Sequence, residues 1–442
     1  MRLTVLLVMA AVCVSSLWNQ AAAASSANGA ESTSLDALVK RYSKQCVFSL
    51  NPGESYLVKL KNGTGRSVRL VSVKEQRDSV IGLVRRADVA VEVGGKPLNL
   101  VCAPYVMPTV IRGLRIQADT TSEWVDMPKR VQFSAWDASD PIVDTKRFGF
   151  PIRDYRLLSH GTQAFNEPVH LGQGDGDPAG QKFYHSYGMD MAGFEGAEEV
   201  ISATEGDVIF FWPSREDLCS VVVQDADGFT WEYAHLASIS PEIVLGAHVK
   251  RGAKIGMLGK TGPSGNFSHL HLGSFLSRAD MEGGRENKRL NLYPWLVTAY
   301  QAAHPKSVYA VARPHHLAMT GEGVLFDGSN SLAFGTKVAA WKWVLPDGRT
   351  IRKPTAEAVF DKPGSYVATL WIKGANGAED VDFCQVRVFS RGKPEDHMPT
   401  IFMSYTPTEG VHVGQPVTFR FWLQGENPQQ IAVDFGDGSQ RI

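Results

Sequence analysis

Three short segments concentrate the residue types that can hold a metal ion or move a proton. They are His185-Ser186-Tyr187-Gly188-Met189-Asp190, Tyr233-Ala234-His235-Leu236 and His269-Leu270-His271. Together they carry four His and one Asp, the donor types of a zinc site. On a strand, side chains at i and i+2 share a face. His269 and His271 therefore point together, while Leu270 and Leu272 point the other way. One imidazole can then bind an ion while its neighbour stays available for proton transfer.

The elements that must position these residues read as short strands joined by glycine turns. Ala203-Thr204-Glu205-Gly206-Asp207-Val208 and Val249-Lys250-Arg251-Gly252-Ala253-Lys254-Ile255-Gly256 lie between the segments. The turn Gly259-Lys260-Thr261-Gly262-Pro263-Ser264-Gly265-Asn266 leads into the last one. In this order and with these hairpins, the stretch of about 180–275 resembles the lysostaphin-like zinc endopeptidases, the M23 or LytM-type peptidases of bacterial cell walls. The resemblance implies an antiparallel β domain. It also implies Zn2+ held by His185, Asp190 and His271 with a water in the fourth place, and His235 and His269 as the catalytic proton carriers. Tyr233 would help orient that pair.

One spacing departs from the family pattern, which has its first His four residues before the Asp. Here Ser186 stands at that position and the imidazole is one residue further back, at His185. A step of five on an unbroken strand puts two side chains on opposite faces. His185 therefore reaches Asp190 only if the chain bulges or loops between them. His170 is the reserve donor, and His160 reads as a surface or cleft residue.

The whole chain is 442 residues long, 43% hydrophobic and 21% charged, with a formal net charge of −1. That length suits about three domains. The near-neutral balance excludes bulk attraction to nucleic acid or acidic membranes. Arg2, the apolar run Leu3–Val14 and Ala21–Ala24 read as a secretory signal peptide over 1–24, removed after Ala24. The apolar run is too short for a comfortable membrane span, and no second one follows. The mature protein is thus expected to be exported, periplasmic or extracellular, without an integral membrane segment. Export permits disulfides, and Cys46 and Cys102, which share the N-terminal region, are the expected pair.

The expected architecture is mainly β. An N-terminal β domain spans 35–145, marked by the alternating run Val89–Val93 and the Gly94-Gly95 turn. The peptidase-like domain spans 146–303 and ends in a short helix. The acidic turn Gly172–Asp177 lacks the twelve-residue calcium pattern and reads as a solvated loop. Val324-Leu325-Phe326-Asp327-Gly328-Ser329, Trp341-Lys342-Trp343, Pro346-Asp347-Gly348, Pro363–Leu370 and the strand Cys384–Val388 all read as strand or turn. With them, residues 306–390 resemble a PKD domain, an Ig-like β-sandwich common in secreted bacterial enzymes and often a spacer. A partial second copy spans 399–442.

The resemblance implies a secreted zinc metalloendopeptidase that cleaves peptide bonds in peptidoglycan cross-links or another extracellular peptide. Glycine bridges, D-Ala–diaminopimelate links and non-wall peptides are all open as its substrate. The alternatives are an inactive M23-like domain serving as a cell-wall scaffold or regulator, and a secreted adhesin or glycan-binding protein.

Overall fold

The computed structural model describes residues 46–165, 167–170, 183–214, 218–226, 228–262, 264, 267–275, 278–282, 289–391, 400–408, 411–424, 433, 434, 440 and 441. The expected signal peptide, the linker after it, the Gly172–Asp177 loop and most of the linker before Pro399 lie outside the described residues.

The chain is mainly β, as expected. In the N-terminal domain, Cys46–Leu50, Val131–Asp137, Leu114–Thr121 and Thr109–Ile111 form one sheet in that order. Ser55–Lys59, Gly65–Arg77, Val84–Val93 and Lys96–Cys102 form the second. Period two decides what is buried. Val89, Val91 and Val93 face the core, whereas Ala90 and Glu92 are half-exposed. Gly94 and Gly95, at φ of 53° and 76°, close the hairpin in which Val93 pairs with Lys96. Positive φ at both turn positions is the geometry a two-residue hairpin needs and glycine supplies.

The expected Cys46–Cys102 disulfide is absent, and both residues are thiols. Cys46 opens a strand of the first sheet, and its Sγ donates to Ala135 O at 3.3 Å. Cys102 ends a strand of the other sheet and is buried in the core. Sharing a domain therefore does not bring the two sulfurs together.

The peptidase-like domain is built on one seven-stranded sheet. Its strands are β1 (Thr162–Gln163), β2 (Met189–Ala192), β3 (Gly206–Pro213), β4 (Cys219–Gln224), β5 (Thr230–Ala234), β6 (His248–Val249) and β7 (His269–Phe275). Their order is β6-β3-β4-β5-β7-β2-β1, and every pairing is antiparallel. Alternation sorts the two faces. Met189, Met191, Val221, Val223, Trp231, Tyr233, Leu270 and Leu272 pack into the main core. Asp190, Ser220, Val222, Glu232, Ala234, His269 and His271 alternate with them and take the opposite face. Two helices follow, α1 (Arg278–Glu282) and α2 (Tyr293–Ala303). Pro294 stands in the first turn of α2, where its missing N–H costs no bond. Trp295 of α2 then packs 6.0 Å from Trp231 and 5.6 Å from Phe148, ring centre to ring centre.

The next domain is a β-sandwich. Its larger sheet runs His316–Met319, Glu379–Phe389, Gly364–Gly374, Val338–Val344 and Thr350–Ile351; Gly323–Asp327 pairs with Thr355–Val359 opposite. Trp343 is wholly buried in its core and donates Nε1–H to Pro354 O at 3.0 Å. Beyond it, Thr400–Thr406 pairs with Thr418–Gln424.

A bead-like spacer does not describe how this sandwich sits. Tyr309, Val311 and Phe334 join the peptidase core, as Val47 and Tyr105 do from the N-terminal domain. The Asp382 carboxylate accepts Ala312 N–H at 2.6 Å and the Ser159 hydroxyl. Arg313 pairs with Glu167, and Arg156 with Asp380. Arg156 is partly exposed, but Arg313, Glu167, Asp380 and Asp382 are buried, and charges buried this deeply persist only with partners.

Candidate functional site

Asp190 and His271 are cross-strand neighbours, because β2 pairs with β7 in the register Asp190↔His271. Their side chains share the face away from the core, and His271 Nδ1 lies 2.6 Å from Asp190 Oδ1. His269, two residues back on β7, brings its Nε2 to 3.9 Å from the same oxygen. All three are buried. His235 comes from just past β5. Its φ of 63° takes the chain out of strand geometry and turns the imidazole towards the pair. Its ring centre is then 4.6 Å from that of His269 and 6.1 Å from that of His271.

Two glycines permit this approach. A Cβ on Gly188 would stand 2.5 Å from His271 Cε1 and 2.8 Å from its Nε2. A Cβ on Gly259 would stand 2.2 Å from Ala237 N, so only glycine lets this turn lie against the segment after His235.

Hydrogen bonds settle which ring nitrogens are basic. His235 Nδ1–H donates to Thr261 O at 2.7 Å, and His269 Nδ1–H donates to Phe267 O at 2.8 Å. A carbonyl can only accept, so each neutral ring keeps its lone pair on Nε2. Burial pulls both imidazoles down. His235 falls to about 3, lowered further by the charges of His269 and His271. His269 falls less, because Asp190 offsets its burial. At His271 burial is the largest influence. The charge and hydrogen bond of Asp190, aided by Glu232, outweigh it and leave the group raised. Asp190 is held low, its burial outweighed by the neighbouring imidazoles. Both sites are therefore neutral bases at pH 7 beside a charged carboxylate.

The other expected residues lie elsewhere. Tyr233 faces the main core, where its hydroxyl accepts Ala203 N–H at 2.7 Å; it does not orient the imidazoles. His185 ends the strand Phe183–His185, which pairs with Pro168–His170. Residues 186–188 are outside any strand and β2 begins at Met189, so strand alternation does not govern the step from His185 to Asp190. His185 is half-buried and lowered to about 4, by burial and then by the charge of Arg85. The imidazoles acting on Asp190 are those of His271, His269 and His235.

The donors present test the fit to a metal. Asp190 and His271 offer the right oxygen and nitrogen side by side, and His271 Nε2 is buried without a hydrogen-bond partner. Among the described residues, however, no group of three or more His, Cys, Asp or Glu side chains gathers closely enough to hold an ion. The described geometry thus holds two of the three protein donors of an open zinc site.

Glu232 and Arg289 also border the site and escaped the sequence reading. Glu232 lies directly across from Gly273. Arg289 stacks over Tyr187 at 4.2 Å and over Phe275 at 3.9 Å. Tyr187 in turn meets the His271 ring edge-on at 5.0 Å. The pairing of β5 with β7 marks Glu232 and the bridge of Arg289 to Phe275 marks Arg289, and no local motif does.

Comparison with known proteins agrees in kind. Residues 184–280 match the model of peptidase family M23, and residues 307–388 match the PKD domain. The catalytic domain of lysostaphin from Staphylococcus simulans is similar at 22% identity; the match covers 30% of this chain and 92% of that one, at a TM-score of 0.23. The LytM chain of Ruminococcus gnavus matches at 23% identity over 35% of this chain, at a TM-score of 0.24, and only 61% of its own length is covered. The PKD domain of Vibrio anguillarum Epp matches at 14% identity over 20% of this chain and 98% of that domain, at a TM-score of 0.17. No curated protein matches the chain. The chain therefore carries a domain of peptidase family M23 over residues 184–280, followed by a PKD domain over 307–388.

Proposed function

We propose that this protein is an exported, zinc-dependent peptidase acting on peptide cross-links of peptidoglycan. The observation that carries the reading is the meeting of Asp190 and His271 with two further imidazoles, each with its basic Nε2 defined by a carbonyl. His185, Asp190 and His271 would hold the zinc. When bound, the ion would supply a water acidic enough to form hydroxide near neutral pH. His235 and His269 are neutral, so either can accept a proton at Nε2 from the attacking water and return it to the leaving amine. Their protonated rings would also balance negative charge building on the scissile carbonyl. Exposed Tyr187 lies beside His271.

The test is direct. His269→Ala should abolish cleavage of purified cross-linked peptidoglycan while bound zinc stays at the wild-type level. Full cleavage by that variant would remove His269 from the mechanism.

A second reading is a ligand-deficient M23 domain that binds wall without cutting it. It is favoured by Arg85 being the charge that acts on His185. Zinc content separates the two. Near one ion per chain supports the peptidase, and a metal-free protein that still binds insoluble wall supports the scaffold.

A further inference from the structure

We propose that Glu232 and Arg289 are positioning residues for His271, with Glu232 accepting the Nε2 proton of that ring. The inference rests on Asp190 and His271 forming the site proposed above. A neutral imidazole has one donor and one acceptor nitrogen. His271 Nδ1 faces Asp190 Oδ1 at 2.6 Å. If a cation comes between them, Nδ1 must offer its lone pair and the proton must sit on Nε2. That atom is buried and has no hydrogen-bond partner in its present position. A buried N–H left unsatisfied is costly, so the ring needs an acceptor there.

Glu232 is the carboxylate on that side. It faces Gly273 across the β5–β7 pairing. The absent side chain of Gly273 leaves a gap in which all three groups meet. The place a Cβ would take lies 3.0 Å from Glu232 Oε2, 3.0 Å from Arg289 Nη1 and 3.4 Å from His271 Nε2. Glu232 is thus one side-chain rotation, or one bridging water, from the ring nitrogen. Arg289 Nη1 stands 3.9 Å from Glu232 Oε2, and its guanidinium is packed between the Tyr187 and Phe275 rings. Arg289 therefore holds the carboxylate in place and keeps its charge balanced in a buried setting. The same pair serves both forms of the ring: Arg289 can donate to Nε2 when the proton is on Nδ1, and Glu232 can accept when it is on Nε2. A carboxylate behind a ligating imidazole fixes both tautomer and ring orientation.

The test uses the full chain, Glu232→Ala and the conservative Glu232→Gln, which keeps an acceptor oxygen. The ring nitrogens of His271 are observed by 15N NMR after chelation and during titration with zinc. In zinc-loaded Glu232→Ala both His271 signals should move and its Nε2–H should exchange faster, while the His235 and His269 signals hold; the melting temperature should fall, because the buried Arg289 loses its partner. Glu232→Gln should restore most of the wild-type spectrum. Zinc affinity, read by chelator competition, should fall about 10–100-fold in Glu232→Ala. Unchanged His271 signals in Glu232→Ala, or equal damage from Glu232→Gln, overturns the proposal. If the wild-type protein binds no zinc, the peptidase reading fails and with it the premise that puts the proton on Nε2; if it binds zinc and the zinc-loaded His271 signals are the same in Glu232→Ala, this proposal alone is overturned.

Discussion

Replacing Arg313 by Ala tests whether the three domains act as one body. Arg313 and Glu167 bury their charged side chains to 6% and 4% exposure. Glu167 has two further donors, the Tyr105 hydroxyl at 2.5 Å and Ala164 N–H at 3.1 Å. It thus joins side chains from all three domains, and its main-chain oxygen accepts Ser186 N–H at 2.9 Å, four residues before Asp190. Removing one partner of a buried ion pair costs about 3–5 kcal/mol, because the other charge stays behind. The two remaining donors at Glu167 put the expected loss at the lower end, about 3 kcal/mol. Replacing both residues, as Arg313→Met with Glu167→Met, leaves no charge stranded and should recover most of that loss. Urea unfolding followed by tryptophan fluorescence measures the stability, and hydrogen exchange at the Ser186 amide reports whether the loss reaches the site. A loss below about 1 kcal/mol in Arg313→Ala, or no recovery in the double variant, refutes the account of Glu167 as the shared anchor.

Gly188→Ala should cost about 1–3 kcal/mol and disturb the His271 ring, since the new methyl would meet Cε1 at 2.5 Å; wild-type stability with an unshifted His271 NMR signal contradicts the close approach. Burial raises Asp119 to about 7 from an ordinary 3.8, so the folded chain holds that proton more tightly than the unfolded chain. Stability should therefore fall as pH rises from about 4 to 7 and level off above, by at most about 4 kcal/mol from this group. Asp119→Asn, which can still accept from Ser134, should flatten that slope and stabilise the protein at pH 8; an unchanged urea midpoint profile argues against it. Alkylation of the denatured, unreduced protein should label both Cys46 and Cys102, and mass spectrometry showing a bridged peptide would reverse that assignment.

The sequence was enough for everything that depends on local repetition. Alternation in Val89–Val93 and His269–Leu272 is a strand signal, because period two decides which side chains meet the core. The Gly94-Gly95 turn was legible for the same reason, since few residues other than glycine tolerate positive φ at both positions. Motif order alone pointed to the M23 and PKD domains and to Asp190, His235, His269 and His271 as the residues that gather. Tertiary structure decided what depends on strand pairing and domain packing. It turned Tyr233 into the core and left Cys46 and Cys102 in separate sheets. It also set His185 under the influence of Arg85, a residue from another domain. Glu232 comes near His271 because β5 lies beside β7, Arg289 because it bridges to Phe275 at the end of β7, and Gly273 leaves a gap between them. The PKD domain, whose resemblance implied a spacer, is fixed to the peptidase domain by buried charges whose partners are far away in the chain. Contacts between residues distant in sequence leave no periodic trace, so the folded chain alone specifies them.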